Sequence, residues 1–357
     1  MTMAIANKRI SRRSVMRVLT LGMTTVLTGQ LTACAGKNVR NQPVWLNMTQ
    51  KELNDAYSQS VYAPNIRQVI DRWGSNSELV RGRIGQPLKF SYGSAAVESL
   101  DVYPTSQPNA PIHVFIHGGA WQQGTAESYG FPAELFVNAG INYVVPDFSW
   151  IQDVGDSLYP IVDQLRRAIA WVYRNASRFD GDCNRLYLSG HSSGGHLAGV
   201  MLTTDWEKEV GLPSGVIKGG TCCSGIFDLK PVRLSSRGDY IAFTDDMEYD
   251  LSPIRHIENL QAPLIVAYGS YETPEFKRQS AEFAAAAARA GKSVDLILAE
   301  NYNHFEIIET LANPNGILGR AVLEQMLALP SRDRQPPKSS EKPIRTPIIS
   351  IKSDEIA

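Results

Sequence analysis

Ser192 lies in the run Arg185-Leu186-Tyr187-Leu188-Ser189-Gly190-His191-Ser192-Ser193-Gly194-Gly195-His196-Leu197, with a glycine two residues to either side of it. A short apolar stretch leads in and a small-residue helix start leads out. That pattern holds a serine in a sharp strand-to-helix turn, where Gly190 and Gly194 carry no side chains to crowd it and the hydroxyl projects into open space. A serine displayed in this way suits nucleophilic acyl transfer, which also needs a base, an orienting acid and donors for the developing oxyanion. A Gly/Ser-rich loop after a strand reads the same over five residues, so each further component has to be found independently.

The base belongs beyond the last strand, after the acid. Of the six histidines, only His304 follows every strand that could carry the acid. It sits in Tyr302-Asn303-His304-Phe305, where a loop can bring it over Ser192. The acid is expected after the strand Leu264 to Tyr268, in Gly269-Ser270-Tyr271-Glu272-Thr273-Pro274-Glu275-Phe276. Its carboxylates are Glu272 and Glu275. Glu275 opens the next helix, where a negative charge suits the helix dipole and needs no catalytic explanation. Glu272, at the strand end, is therefore the candidate acid. The oxyanion donors are expected in Phe115-Ile116-His117-Gly118-Gly119-Ala120-Trp121: the amides of Gly118 and Gly119, completed by the amide of Ser193. His117 is expected to brace this loop, and Trp121 to line the acyl pocket or pack beside it. No Cys/His spacing suggests a metal, and the chemistry calls for no cofactor.

These residues must be carried by a sheet. Short apolar runs at Ile112 to Ile116, Tyr143 to Val145, Leu186 to Leu188, Val216 to Cys223, Leu264 to Tyr268 and Val294 to Leu298 are bounded by Gly, Pro or Asp. Helical stretches separate them, which signals parallel pairing. Leu88 to Tyr92 and Leu100 to Tyr103 read as an antiparallel hairpin ahead of them. Ile161, Leu165, Ala168, Ile169 and Val172 keep helical spacing, an alanine-rich helix runs from Phe276 to Ala290 and ends at Gly291, and Leu318 to Leu329 forms a last helix. The expected fold is α/β: an eight-stranded, mostly parallel sheet with helices on both faces. The chain order serine, acid, histidine is that of the α/β-hydrolase fold. Met48 to Arg72 reads as a helical N-terminal elaboration with a capping box at Thr49 and Glu52. Phe227 to Gln261 lacks a clear strand and suits a partial cap.

The N-terminus follows other rules. A basic segment, Lys8 to Arg17, precedes a modestly apolar run from Val18 to Leu31, as in a bacterial signal peptide. Ser11-Arg12-Arg13 resembles a twin-arginine motif, and Leu31-Thr32-Ala33-Cys34 resembles a lipobox. Residues 1–33 are thus expected to be an export signal, and Cys34 the lipidated start of a chain tethered to the periplasmic side of a membrane. A linker over 34–47, a hydrolase domain over 48–330 and a disordered tail over 331–357 complete the expected organisation. A net charge of −1 gives no field for nucleic acid. Cys222 and Cys223 point to opposite faces of one strand and are expected to be buried thiols, with a bridge from Cys183 as the alternative.

The loop His117 to Trp121, the Gly190 to His196 turn, the segment Glu272-Thr273-Pro274-Glu275-Phe276-Lys277-Arg278-Gln279-Ser280 and Asn303-His304-Phe305-Glu306 together resemble kynurenine formamidases (arylformamidases) and their esterase relatives. So does Thr49 to Tyr57, and the resemblance runs from about residue 45 to about residue 328. It implies a small-molecule ester or N-formyl aryl amide as substrate and an acyl-enzyme on Ser192. Many family members have Asp where this chain has Glu272, and they mostly act inside cells, whereas this chain is expected to be exported. A non-catalytic envelope binding protein on the same fold, or a serine peptidase, are the competing readings. The second lacks a gating domain ahead of the core.

Overall fold

The computed structural model describes residues 42–327. The expected export signal, Cys34, most of the linker and the tail lie outside the described residues.

Thr49 starts the first helix, α1 (Gln50–Ala56), through both halves of the capping box: its hydroxyl accepts from the Glu52 amide, and its own amide donates to the Glu52 carboxylate at 2.8 Å. The helical elaboration expected over Met48 to Arg72 is broken into separate elements. The chain leaves α1 at Ala56, makes a 3₁₀ turn over Gln59–Val61 and restarts beyond Pro64 as α2 (Ile66–Ile84). Proline has no amide hydrogen and pushes the residue before it out of the helical region, so Ala63-Pro64 cannot lie inside a helix.

After α2 come β1 (Leu88–Ser91), β2 (Ser99–Tyr103), β3 (Ala110–Ile116), α3 (Ala133–Asn138), β4 (Asn142–Pro146), α4 (Tyr159–Asn175), β5 (Gly181–His191) and α5 (Ser193–Leu202). The second half continues through α6 (Trp206–Val210), β6 (Ile217–Cys223), α7 (Lys230–Leu234), α8 (Asp245–Asp250), β7 (Leu264–Gly269), α9 (Pro274–Arg289), β8 (Val294–Ala299) and α10 (Ile317–Leu327). The strands form one eight-stranded sheet in the order β1-β2-β4-β3-β5-β6-β7-β8. β1 and β2 pair antiparallel, as β2 does with β4, and every other pairing is parallel.

Side chains alternate across the sheet, so neighbours in sequence feed two cores. Val114, Cys222 and Val266 join one core with Leu165 and Ile169 of α4, Met201 of α5 and Phe283 of α9. Phe115, Cys223 and Ala267 join the other with Trp73 of α2, Phe136 of α3 and Val322 of α10. Helices therefore cover both faces, which is why the inner strands read as continuous apolar runs. Cys183, Cys222 and Cys223 are free thiols, so the bridge considered for Cys183 does not form. Phe227 to Gln261 is helical and carries no strand. It docks on α1, where Gln50 Nε2 donates to the Leu234 carbonyl at 2.7 Å and the Ser236 amide to Asn54 Oδ1 at 2.9 Å. Among the described residues, no helix is long and apolar enough to cross a membrane.

Candidate active site

In the parallel part of the sheet, the C-terminal strand ends share one edge, and the loops leaving them meet there. β3 delivers Gly118, β5 Ser192, β6 Ser224, β7 Glu272 and β8 His304.

Ser192 is the residue between β5 and α5. Its φ of 60° and ψ of −123° are strained for a side chain with a Cβ, as a nucleophile turn demands. The strain is held by packing: its amide donates to the Cys223 carbonyl at 3.0 Å, and its carbonyl accepts from the His196 amide at 3.0 Å. The flanking glycines are sterically required. A Cβ on Gly190 would run into the Gly194 carbonyl, and one on Gly194 into the carbonyls of Ile116 and His117. Ser192 is 8% exposed.

The Ser192 hydroxyl is 2.8 Å from His304 Nε2, and His304 Nδ1 is 2.8 Å from Glu272 Oε2. A carboxylate only accepts, so the proton of neutral His304 sits on Nδ1 and leaves Nε2 free to accept from the serine. Glu272 is fully buried, and Oε1 accepts from the Ser224 hydroxyl at 2.6 Å and from the Gly269 amide at 2.7 Å. These donors stabilise a carboxylate inside the protein, where an unpartnered one would be costly. Glu275 also is buried, but it faces away from His304 into a two-pronged pair with Arg278, both legs 2.7 Å. The two glutamates thus face different partners, Glu272 the imidazole and Glu275 the Arg278 guanidinium.

The loop carrying His304 is tied down from several sides. The Asn303 side chain accepts from the amides of Phe305 at 2.9 Å and Glu306 at 3.1 Å, a local turn that places His304. Asn65, just ahead of α2, grips Glu306 at 2.6 Å. His191 donates from Nε2 to the His304 carbonyl at 2.7 Å. Burial, with His304 nearby, holds the His191 imidazole well below its ordinary range, so it remains a neutral brace. Phe276 meets the His304 ring edge-on at 4.9 Å.

The loop after β3 lies against the nucleophile turn. A Cβ on Gly118 would fall 3.2 Å from Ser192 Cβ and 2.8 Å from the His191 carbonyl. Gly119, Ala120 and Trp121 have φ values of 126°, 55° and 61°. Only the glycine adopts such a value without cost. Among the described residues, the amides of Gly118, Gly119 and Ser193 donate to no other group. Ser193 also opens α5, so its amide lies at the positive end of the helix dipole. His117 behaves as a brace: it is buried, stacked on Phe148 at 4.3 Å, and its Nδ1 donates to the Gly118 carbonyl at 2.9 Å. Trp121 corrects the pocket-wall expectation. It is 1% exposed, and its indole nitrogen donates to His196 Nδ1 at 3.3 Å. Its positive φ turns the side chain into the core, and its amide donates to the Ser193 hydroxyl at 3.3 Å, locking the loop to α5.

Two contributors carried no signal in the sequence. Ser224 follows β6, so its place at the sheet edge is readable, but its bond to Glu272 is not. Gln59 comes from the 3₁₀ turn between α1 and α2, and its amide nitrogen lies 3.1 Å from His304 Nδ1. Its Oε1 is buried without a partner. Turning the amide end for end sets that oxygen against Nδ1–H and satisfies both groups. Among the described residues, no group of three or more His, Cys, Asp or Glu side chains could hold a metal ion.

Residues 100–218 match the BD-FAE family. The chain is 32% identical over 295 residues to the kynurenine formamidase of Danio rerio, covering 79% of this chain and 98% of that one. It is 27% identical over 208 residues to the esterase LipC of Mycobacterium tuberculosis, covering 50% of this chain and 49% of that one. A solved structure from Silicibacter sp., described as a thioesterase, superposes with a TM-score of 0.68 at 25% identity, covering 77% of this chain and 99% of the other.

Proposed function

Because the chain belongs to the kynurenine formamidase family of α/β-hydrolases and is a serine hydrolase of small esters or N-formyl aryl amides, we propose that Ser192, His304 and Glu272 are its nucleophile, base and acid. The observation that carries this is the unbroken relay from Ser192 to His304 to Glu272, with both links at 2.8 Å.

In this reading, His304 Nε2 takes the proton of Ser192 as Oγ attacks the substrate carbonyl. Glu272 holds Nδ1–H and stabilises the imidazolium that forms. The free amides of Gly118, Gly119 and Ser193 receive the oxyanion. Collapse expels the alcohol or aryl amine, protonated by His304, and leaves an acyl group on Ser192. Water, activated by the same histidine, then releases the acid. For an N-formyl amide the acyl group is formyl and the released acid is formate. Supporting the reading are the strain at Ser192, the fully partnered Glu272 carboxylate and the partnerless amides of the β3 loop. The test is to assay N-formylkynurenine and short p-nitrophenyl esters with the wild type and Ser192→Ala. Turnover of at least one substrate class is expected, falling at least about a thousandfold in the variant.

We further propose, from the order of basic, apolar and small-residue-plus-Cys segments alone, that the chain is exported and lipidated on Cys34. Mass analysis of the N-terminus from membrane fractions tests it; an intact N-terminus or an unmodified Cys34 rejects it.

A further inference from the structure

The segment leaving β4, Asp147 to Gln152, runs alongside the loop that carries Gly118 and Gly119, and hydrogen bonds join the two. The Ile151 amide donates to the Trp121 carbonyl at 2.8 Å, the Gln152 side chain to the Gln122 carbonyl at 3.0 Å and the Trp150 indole to the Gly124 carbonyl at 3.0 Å. Another bond runs the other way: Asp147 Oδ1 accepts from the Ala126 amide at 2.6 Å. This strap is itself fixed from behind. The Asp147 amide donates to the Ser99 carbonyl of β2 at 2.9 Å, and its carbonyl accepts from the Tyr92 hydroxyl at 2.6 Å. Ser149 exchanges bonds of 2.8 Å and 2.9 Å with Gln164 of α4.

Asp147 stands in for a missing cap. Ala126 opens a 3₁₀ turn, Ala126–Tyr129, whose own N-cap residue, Thr125, makes no side-chain bond to it. Ala126 is 1% exposed, so its amide has no recourse to water, and an unpaired amide there is costly. The carboxylate supplies the partner from another strand end, as a charge-assisted bond. Asp147 Oδ1 is 3.8 Å from His117 Nε2, beyond hydrogen-bond reach, so among the described residues Ala126 is the one donor it holds.

The held segment reaches Ser192 through close backbone packing. Gly124, bonded to Trp150, is pressed onto the start of the same loop: a Cβ there would fall 2.5 Å from the Gly118 carbonyl and 2.7 Å from His117 Nδ1. Gly118 in turn lies against the nucleophile turn, where a Cβ would fall 3.2 Å from Ser192 Cβ. Neither gap admits a methyl group without a shift. The distance between strap and loop therefore sets how closely the Gly118 and Gly119 amides approach Ser192.

We propose that Asp147 and Trp150 are positioning residues for the oxyanion donors, holding the β3 loop at the depth where the Gly118 and Gly119 amides meet the substrate oxygen. They act through the loop and not on the reacting atoms. The proposal rests on the acyl-transfer reading of Ser192.

The experiment measures p-nitrophenyl acetate hydrolysis by the full chain as wild type, Asp147→Ala, Asp147→Asn and Trp150→Phe, with inhibition by trifluoroacetophenone and by acetophenone. Ser192 Oγ adds to the carbonyl carbon of the fluorinated ketone, the serine proton passes to His304 and the ketone oxygen becomes an oxyanion; acetophenone only binds. In Asp147→Ala, kcat is expected to fall about thirtyfold with KM within about twofold, since the donors are displaced and not removed. Asp147→Asn, whose carboxamide oxygen still accepts from Ala126, recovers to within about threefold of wild type. Trp150→Phe deletes one N–H at a residue 36% exposed and lowers kcat about threefold. In each variant the Ki of trifluoroacetophenone rises in step with the loss of kcat, while that of acetophenone does not move. A merely structural role would not produce that split. Unchanged kcat in Asp147→Ala overturns the proposal, as does a fall in kcat with wild-type affinity for trifluoroacetophenone, or Asp147→Asn as poor as Asp147→Ala. If Asp147→Ala does not fold, Trp150→Phe decides, and wild-type kcat and ketone affinity there overturn it. Those failures leave the acyl-transfer reading standing, whereas wild-type activity that survives Ser192→Ala sinks both.

Discussion

The hydroxyl of Ser224 donates to Glu272 Oε1 at 2.6 Å, on the carboxylate oxygen that His304 does not use. Ser224 itself has a φ of 51°, and its amide donates to the Ala267 carbonyl at 2.7 Å, so β6 and β7 together fix the donor. Ser224→Ala leaves Oε1 with the Gly269 amide alone and lets the acid rotate. Its kcat/KM is expected to fall roughly tenfold, the effect of one charge-assisted hydrogen bond, with little change in substrate KM. Steady-state kinetics check this; wild-type kinetics in the variant would show that Glu272 needs no second-oxygen support.

Gln59 reaches His304 from the N-terminal elaboration, which gives that segment a part in the site beyond packing. Gln59→Leu removes the polar contact at Nδ1 and is expected to lower kcat about three- to tenfold. Gln59→Glu sets a second carboxylate by the imidazole, favours its charged form and moves the acid limb of the kcat/KM profile to higher pH. A pH profile of both variants separates this from a folding defect, since simple destabilisation does not move the limb.

Gly118 has an ordinary backbone conformation, so what an added methyl meets decides the outcome. In Gly118→Ala the methyl falls 2.8 Å from the His191 carbonyl and 3.2 Å from Ser192 Cβ, and the β3 loop must back away from the nucleophile. The expected result is a loss of about a hundredfold in kcat, as for a missing oxyanion donor, with a much smaller change in melting temperature. Paired kinetics and thermal melts check it.

Several imidazoles are buried in neutral form. Burial pushes His113 down to about 3, and His117 and His196 down to about 4. Their ordinary value is 6.5. Below it the unfolded chain takes up protons that the folded chain refuses, so folding stability is lost as pH falls from 6.5 toward 4. Each site contributes a slope approaching 1.4 kcal/mol per pH unit in that window. Urea unfolding at pH values on either side of the window is expected to show a clear drop on the acid side. Replacing His196, which donates to the Leu251 carbonyl at 2.8 Å, by Gln should flatten the slope by about one proton.

The strands were legible because parallel strands covered on both faces are nearly continuous apolar runs, as in Leu264 to Tyr268, and their short length between Gly, Pro and Asp favours strand over helix. β5 was read short: it begins at Gly181, but Asp182, Asn184 and Arg185 at its entrance are polar and hid its first half. The break between α1 and α2 follows a local rule visible in the sequence at Pro64. Ser192, Glu272 and His304 could be chosen because chain order and strand ends leave few candidates. The direction of the Trp121 side chain could not, because it depends on a positive φ that alanine and tryptophan do not advertise. Gln59 approaches the site from a segment far away in sequence, and only the packing of the N-terminal elaboration against the His304 loop brings it there.

The most direct measurement is peptide mapping of the folded chain after reaction with a fluorophosphonate, which captures an activated serine. A single adduct on Ser192, absent in Ser192→Ala and at least about a hundredfold slower to form in His304→Ala, is the expected result. Hydrolytic activity with no adduct on Ser192, or an adduct that forms as fast without His304, would contradict it.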